Sequence, residues 1–95
     1  MTVRIPTHPG EILKDEMQAR GLSANGLALD LGVPSGRVVE IINSKRGISP
    51  DTALRLGRYF GNSPQFWMNL QVQYDLAVAA RDRGAEITAK VSPAA

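Results

Sequence analysis

The sequence predicts a small all-α domain of five helices, and three observations carry that prediction. Apolar residues recur three or four positions apart in five segments of the 95-residue chain. Ser, Pro and Gly stand where those segments begin and end. No segment combines sustained apolar–polar alternation with turn residues, as a half-buried strand would. With 43% hydrophobic and 21% charged residues, the composition is that of a soluble globular domain and excludes a disordered chain.

The first three predicted helices are short. Pro9 opens the first helix and Gly21 ends it. Ser23 is the predicted N-cap of the second helix, which stops at Gly32. The third helix is predicted over about residues 35–43.

Two longer helices begin at a repeated signal, a Ser followed by a Pro. Ser49-Pro50 opens the fourth helix, and Ser63-Pro64 opens the fifth, which Gly84 is predicted to end. The predicted organisation is one domain over residues 1–84, beginning with an irregular arm, followed by a short C-terminal tail over residues 85–95.

The most specific pattern lies between the second and third helices. Ala28 is small where these helices meet, and Gly32 lies in the turn, where a positive φ disfavours other residues. The apolar residues of this unit are Leu27, Leu31, Val33, Val38 and Ile41. The spacing predicts a helix-turn-helix, whose second helix enters the DNA major groove. The alternative is an ordinary C-cap at Gly32 and an ordinary core residue at Ala28.

Basic residues are concentrated in the middle of the chain. The whole chain carries a net charge of +2, whereas residues 35–58 hold five basic and two acidic residues, a local net charge of +3. The five are Arg37, Lys45, Arg46, Arg55 and Arg58. This concentration indicates an anionic partner, and a solvated helix face is the alternative.

The third helix supplies candidate contacts to DNA bases. Arg37 suits a phosphate or a guanine edge, and Asn43 suits adenine or a phosphate. Val39 suits a thymine methyl group. Glu40 suits a cytosine amino group, and its alternative role is a solvated residue that repels phosphate. Gly36 offers no side chain for readout, so DNA shape is expected to contribute to specificity.

Phosphate contacts are expected beside that helix. Lys45 and Arg46 lie in the following loop, and backbone N–H groups of the helices that begin at Ser23 and Ser49 can receive a phosphate, unless these serines act only as caps. The predicted DNA-binding set is Ser23, Ser35, Gly36, Arg37, Val39, Glu40, Asn43, Lys45, Arg46 and Ser49.

A series of motifs reaches beyond the helix-turn-helix. The chain reads Thr-His-Pro-Gly-Glu-Ile-Leu over residues 7–13, Asn-Ser-Lys-Arg-Gly-Ile-Ser over 43–49, Asp-Thr-Ala-Leu-Arg-Leu over 51–56, Ser-Pro-Gln-Phe-Trp-Met-Asn-Leu-Gln over 63–71 and Tyr-Asp-Leu over 74–76. In this order and spacing the motifs resemble the HigA family of antitoxins, within the Xre-type helix-turn-helix repressors. The resemblance spans roughly residues 7–78 and implies a compact, lambda-repressor-type five-helix domain.

The resemblance implies a cytoplasmic homodimer that neutralises a HigB-type toxin, an mRNA endonuclease, and represses its own operon by binding double-stranded operator DNA. It implies no cofactor and no membrane partner. The alternative is a plain dimeric repressor without a toxin partner. Two departures stand out: the family usually has Gly where this chain has Ser44, and often a polar residue where it has Val39.

Two protein-contact surfaces are also predicted. In the fifth helix, Phe66 and Leu70 are expected to cover the core of their own chain. The expected dimer contacts are Trp67, Tyr74 and Val78. Toxin contacts are expected on the N-terminal arm and first helix, where acidic side chains can meet a basic RNA-binding protein. The set is Arg4, Ile5, Glu11, Lys14 and Asp15.

The residue content argues against an enzyme. The chain has no Cys, which excludes a disulfide scaffold, a Cys-ligated zinc site and a thiol nucleophile. His8 is the only histidine, and its place before Pro at a helix start suits capping or surface exposure. No metal-ligand spacing, Gly-rich phosphate loop, signal peptide or apolar run of about 20 residues appears.

Overall fold

The computed structural model describes residues 4–94, which form five α-helices and no strand. The helices are α1 (Pro9–Ala19), α2 (Ala24–Leu31), α3 (Ser35–Ile42), α4 (Pro50–Phe60) and α5 (Pro64–Lys90). The predicted all-α fold is therefore confirmed, and each predicted helix is present. None of these helices is both long and apolar enough to span a membrane.

Four helices begin at a polar side chain that accepts a backbone N–H. Nδ1 of His8 accepts from Gly10 at the start of α1. The hydroxyls of Ser23, Ser49 and Ser63 play the same part at α2, α4 and α5. These bonds satisfy donors that a helix N-terminus otherwise leaves without partners. The predicted caps are confirmed, including the capping role of the histidine.

The predicted end of the fifth helix is wrong. Gly84 lies inside α5, which continues to Lys90. A Cβ at Gly84 would meet nothing within 4 Å, so no neighbour opposes the continued helix. Glu86 forms ion pairs with Arg83 and Lys90, one turn away on either side. Such pairs support a helix locally, and an interior Gly weakens a helix by about 1 kcal/mol without ending it.

One hydrophobic core joins all five helices. Its fully buried members include Leu13 of α1, Leu27 of α2, Ile41 of α3, Leu56 of α4 and Trp67 of α5. α4 and the first turns of α5 form the most extensive helix pair, and α2 and α3 the next. The molecule measures 51 × 23 × 21 Å.

The roles expected of Phe66 and Trp67 are exchanged. Trp67 is fully buried, whereas Phe66 is 42% exposed. Trp67 packs against Phe60, with ring centroids 6.0 Å apart, and its indole N–H donates to Oδ1 of Asn62 at 2.9 Å. A fully enclosed side chain offers no surface to a second copy, so the assignment of Trp67 to the dimer interface is wrong. Leu70 is half-buried against the core, as expected.

Candidate nucleic-acid interface

The turn between α2 and α3 is built around Gly32. This residue ends α2 in the left-handed conformation, with φ 72° and ψ 35°. The next residue, Val33, donates its N–H to the Ala28 carbonyl at 3.0 Å. Ala28 itself is buried. The turn thus needs Gly for its backbone and a small residue for the close helix contact, which confirms the predicted helix-turn-helix geometry.

Arg55 clamps this turn from α4. Its Nη1 donates to the Leu31 carbonyl at 2.8 Å, and its Nε donates to Oδ1 of Asp51 at 2.7 Å. The sequence shows Arg55 only as one of five basic residues in the middle of the chain. Its spacing of four from Asp51 predicts an ion pair on a helix, but the bond to the end of α2 depends on tertiary packing.

α3 presents a continuous exposed side. Val38 and Ile41 are buried, and Arg37 is half-buried. The exposed residues of this helix and its C-cap are Ser35, Gly36, Val39, Glu40 and Asn43. α3 also differs from the other helices at its start, because its N-cap is Pro34 and no side chain accepts a bond there. The structure therefore exposes the predicted readout residues of α3 apart from Arg37, which is partly exposed.

The α3–α4 loop carries charge of both signs. Arg46 forms an ion pair with Glu40 at 3.1 Å, which links the loop to α3. Both side chains are about half exposed, so solvent limits the strength of this pair. Within residues 4–94, three of the five central cations form no ion pair: Arg37, Lys45 and Arg58. The local positive charge is therefore concentrated on α3, the loop and α4.

Ser44 adopts a conformation that favours Gly. Its φ is 59°, and it is the one residue other than Gly with a positive φ in the described chain. The left-handed region costs a residue with a Cβ about 1–2 kcal/mol. The departure from the family pattern at this position thus places a strained residue between α3 and the basic loop.

The two serines predicted to bind phosphate, Ser23 and Ser49, act as N-caps of their helices. Oγ of Ser23 accepts from the Gly26 N–H at 3.0 Å, and Oγ of Ser49 accepts from the Thr52 N–H at 3.2 Å. Each cap uses one backbone donor of its first turn, so others are left for a ligand. The capping role is confirmed, and the phosphate role stays a prediction.

The predicted protein-contact residues are at least partly accessible, apart from Trp67. Arg4, Glu11, Lys14 and Asp15 are exposed and Ile5 is half-buried. Tyr74 and Val78 are half-buried on α5. The roles of these residues in toxin binding and dimerisation stay predictions.

His8 connects the N-terminal arm to α5. It is 8% exposed and meets the Tyr74 ring edge-on, with centroids 4.8 Å apart. Burial lowers the pKa of His8 below 6.5, and the nearby carboxylates of Asp75 and Glu11 oppose that shift. Burial therefore favours the neutral imidazole, which is the form that can accept the Gly10 N–H.

Sequence reasoning missed the burial of Gln71, a polar residue of α5. Its side-chain oxygen accepts from the Ile48 N–H at 2.7 Å, across 23 positions of sequence. Its spacing of four from Trp67 on the same helix was the available signal. No group of three His, Asp or Glu side chains within residues 4–94 could hold a metal ion.

These features define a helix-turn-helix protein of the DNA-binding type, and a family model described as Helix-turn-helix matches residues 13–67. Virulence-associated protein I of Dichelobacter nodosus is 52% identical over 77 residues, which cover 80% of this chain and 71% of that protein. Antitoxin HigA-1 of Vibrio cholerae is 37% identical over 76 residues, which cover 79% of this chain and 71% of that protein.

A solved structure agrees with these matches over nearly the whole chain. Pseudomonas aeruginosa antitoxin HigA, solved with the higBA promoter, is 47% identical with a TM-score of 0.91, covering 95% of this chain and 99% of that one. The chain belongs to the HigA family of antitoxins. Its relatives are helix-turn-helix antitoxins and repressors, which are not enzymes.

Proposed function

We propose that this protein is a non-enzymatic, homodimeric antitoxin that acts in the cytoplasm. It binds double-stranded operator DNA to repress its own operon, and it neutralises a HigB-type toxin. The observation that carries the proposal is the open side of α3 beside the unpaired cations Arg37 and Lys45, on a fold shared with an antitoxin solved together with promoter DNA.

The DNA-binding part of the proposal assigns α3 to the major groove. Arg37 lies in its first turn and reaches a phosphate or a guanine edge. Val39 is 43% exposed and meets a thymine methyl group. Asn43 lies one turn further on. Glu40 has Arg46 as its ion-pair partner, so a cytosine contact would have to compete with that pair.

Phosphate contacts surround this helix in the proposed complex. Lys45 and Arg46 extend from the exposed loop, and the first turns after Ser23 and Ser49 present backbone donors. Ser35 and Gly36 begin α3 without a side-chain cap, which leaves their backbone N–H groups for a phosphate or a water.

The dimer contact is proposed on the C-terminal part of α5. Tyr74 and Val78 are half-buried there, and the apolar residues Val72 and Leu76 are 47% and 66% exposed. A second copy would cover this surface and bring two copies of α3 onto half-sites about 34–36 Å apart.

The toxin contact is proposed on the N-terminal arm and α1. Within the described residues, the charged side chains of Arg4, Glu11, Lys14 and Asp15 form no ion pair. Glu11 and Asp15 are therefore available to a basic RNA-binding protein. Ile5 adds an apolar contact at the arm.

The DNA assignment is tested by comparing two arginines. Arg37→Ala should weaken binding to the DNA upstream of the gene by about tenfold or more, as expected for the loss of a charge-assisted contact. Arg58→Ala removes the same charge from α4 and should have a much smaller effect. Fluorescence anisotropy with labelled duplex measures both. Equal losses in the two variants would contradict the assignment of α3 as the recognition helix.

The toxin assignment is tested by co-expression with the small reading frame beside the gene. The antitoxin should relieve growth arrest and co-purify with the toxin. Reversing the charges of Glu11 and Asp15 to Lys should weaken that complex. The control variant reverses the charge of Asp30, which is exposed on α2 outside both proposed protein contacts and forms no ion pair within residues 4–94. No toxicity and no complex would instead support the plain dimeric repressor.

A further inference from the structure

Gln71 ties α5 to the loop between α3 and α4. The residue is buried, with 7% of its surface exposed. Oε1 accepts the backbone N–H of Ile48 at 2.7 Å, and Nε2 donates to Oδ1 of Asp75 at 2.9 Å. A carboxylate only accepts, so Asp75 turns the amino group toward itself and the amide oxygen toward Ile48.

The residues next to this contact, Gly47 and Ile48, pack closely around it. A Cβ at Gly47 would lie 2.9–3.0 Å from three atoms of the Gln71 amide, so a larger residue would collide with it. The side chain of Ile48 is buried in the core. At the other end of the loop, Ser44 and Lys45 donate their N–H groups to carbonyls of α3. The loop is therefore attached to α3 at Ser44 and Lys45 and to α5 at Ile48, and Arg46 lies between the two attachments.

We propose that Gln71 is a positioning residue for DNA binding. It holds the loop so that Lys45, Arg46 and the first turn of α4 meet the phosphate backbone, and it makes their position depend on α5. This inference rests on the proposed function, because it requires the loop to contact phosphates.

The energetics favour a shift of the loop when this contact is lost. Removing the amide oxygen leaves the Ile48 N–H buried without an acceptor, which is unfavourable. Exposing that N–H to water requires movement of the backbone next to Arg46 and Gly47. Contacts between a side chain and a phosphate depend steeply on distance and alignment, so the loop should lose phosphates before the domain unfolds.

The test measures operator affinity against salt for two glutamines on the same helix. Gln71→Met keeps similar volume and removes both hydrogen bonds, and Gln65→Met makes the same change at an exposed position outside the proposed dimer contact. The full chain binds labelled duplex from upstream of its gene at salt concentrations from about 50 to 200 mM. Gln71→Met should bind about tenfold more weakly and reduce the log–log salt slope by about one per phosphate lost. Gln65→Met should match the wild type.

A second pair of variants keeps the test decisive if Gln71→Met does not fold. Asp75 is exposed, and Asp75→Ala removes the acceptor that orients the Gln71 amide. Asp75→Asn makes the same change of charge and keeps an acceptor. Asp75→Ala should reduce the salt slope relative to Asp75→Asn. Equal slopes in this pair, or a wild-type slope and affinity in folded Gln71→Met, would overturn the inference.

Two outcomes separate this inference from the function on which it rests. If wild-type protein shows no salt-dependent binding to the duplex, the proposed DNA binding fails. If the wild type binds and Lys45→Ala reduces the slope while Gln71→Met does not, the DNA binding stands and the positioning role is overturned.

Discussion

The 27 residues of α5 divide into a short inner half of 8 residues and a long outer half of 19, and these two parts differ in the contacts that hold them in place. In the inner half, Pro64–Gln71, both Trp67 and Gln71 are buried and the helix packs against α4. In the outer half, Val72–Lys90, no residue is fully buried. The two halves form one continuous helix with one backbone geometry. The difference shows that helical conformation and tertiary anchoring are separate properties.

The outer half depends on weaker support. Its ion pairs between Glu86 and its neighbours Arg83 and Lys90 contribute about 0.2–0.5 kcal/mol each. Its apolar residues Leu76 and Ile87 are 66% and 50% exposed. A helix that has so little contact with its own chain gains most from a partner, which is why the proposed dimer contact falls here.

The largest difference in stability is expected between one substitution in the inner half of α5 and one in the outer half. Trp67→Ala should lower the free energy of unfolding by about 3–5 kcal/mol, because it empties the centre of the core. Leu76→Ala should change the stability of the monomer by less than about 0.5 kcal/mol and weaken self-association. Circular dichroism during urea unfolding measures the first, and sedimentation velocity the second. An equal loss of monomer stability in both variants would remove the distinction between the halves.

The same substitution, Gly→Ala, should have opposite effects on stability at a packed position and in the outer half of α5. A Cβ at Gly10 would lie 1.7 Å from the Ile41 carbonyl oxygen, where α1 meets α3, and Gly10→Ala should cost about 3 kcal/mol. Gly84→Ala, in the outer half of α5, should raise stability by up to about 1 kcal/mol. Thermal unfolding of both variants checks the signs. Destabilisation by Gly84→Ala would mean that the outer half is packed against something.

The local signals in the sequence predicted the helices and the turn. Ser followed by Pro identified the starts of α4 and α5, and Gly32 identified the turn of the helix-turn-helix, because caps and positive φ angles are properties of a few adjacent residues. Gly84 failed as an end signal for the complementary reason. Gly permits a helix to end, but only a competing conformation or a bound neighbour makes it end there.

What the sequence could not predict is decided by distant neighbours. Phe66 and Trp67 are adjacent and both fit the apolar spacing within one position, so the choice between them depends on where Phe60 and Asn62 lie. Gly10 resembles an ordinary residue of a first helical turn, although its function is a close contact with α3. Gln71 likewise has a backbone partner 23 positions away.

A smaller effect is expected at Ser44, where the positive φ strains the backbone between α3 and the basic loop. Ser44→Gly should raise the free energy of unfolding by about 1 kcal/mol, because the φ of 59° costs Gly far less than Ser. Ser44→Ala keeps the Cβ and should give no gain. Urea unfolding of the two variants separates backbone strain from loss of the hydroxyl. A gain with Ala as large as the gain with Gly would contradict the explanation.

The smallest effect concerns the place where the N-terminal arm meets the outer half of α5. His8 caps α1 through an unprotonated Nδ1 and contacts Tyr74, and burial keeps its folded-state pKa below 6.5. The unfolded chain therefore binds the proton more readily. The contribution of His8 to stability is fully present above pH 6.5 and is lost as the pH falls through and below that value.

Between about pH 7.5 and 5.5, wild-type stability should fall by about 0.5 kcal/mol more than that of His8→Asn, which caps the helix without titrating. The effect is at the low end for a cap because Asp75 and Glu11 attract the imidazolium and offset part of the loss. Urea unfolding at the two pH values measures it. A parallel decline in wild type and His8→Asn would show that other groups, and not this contact between the arm and α5, set the response to acid.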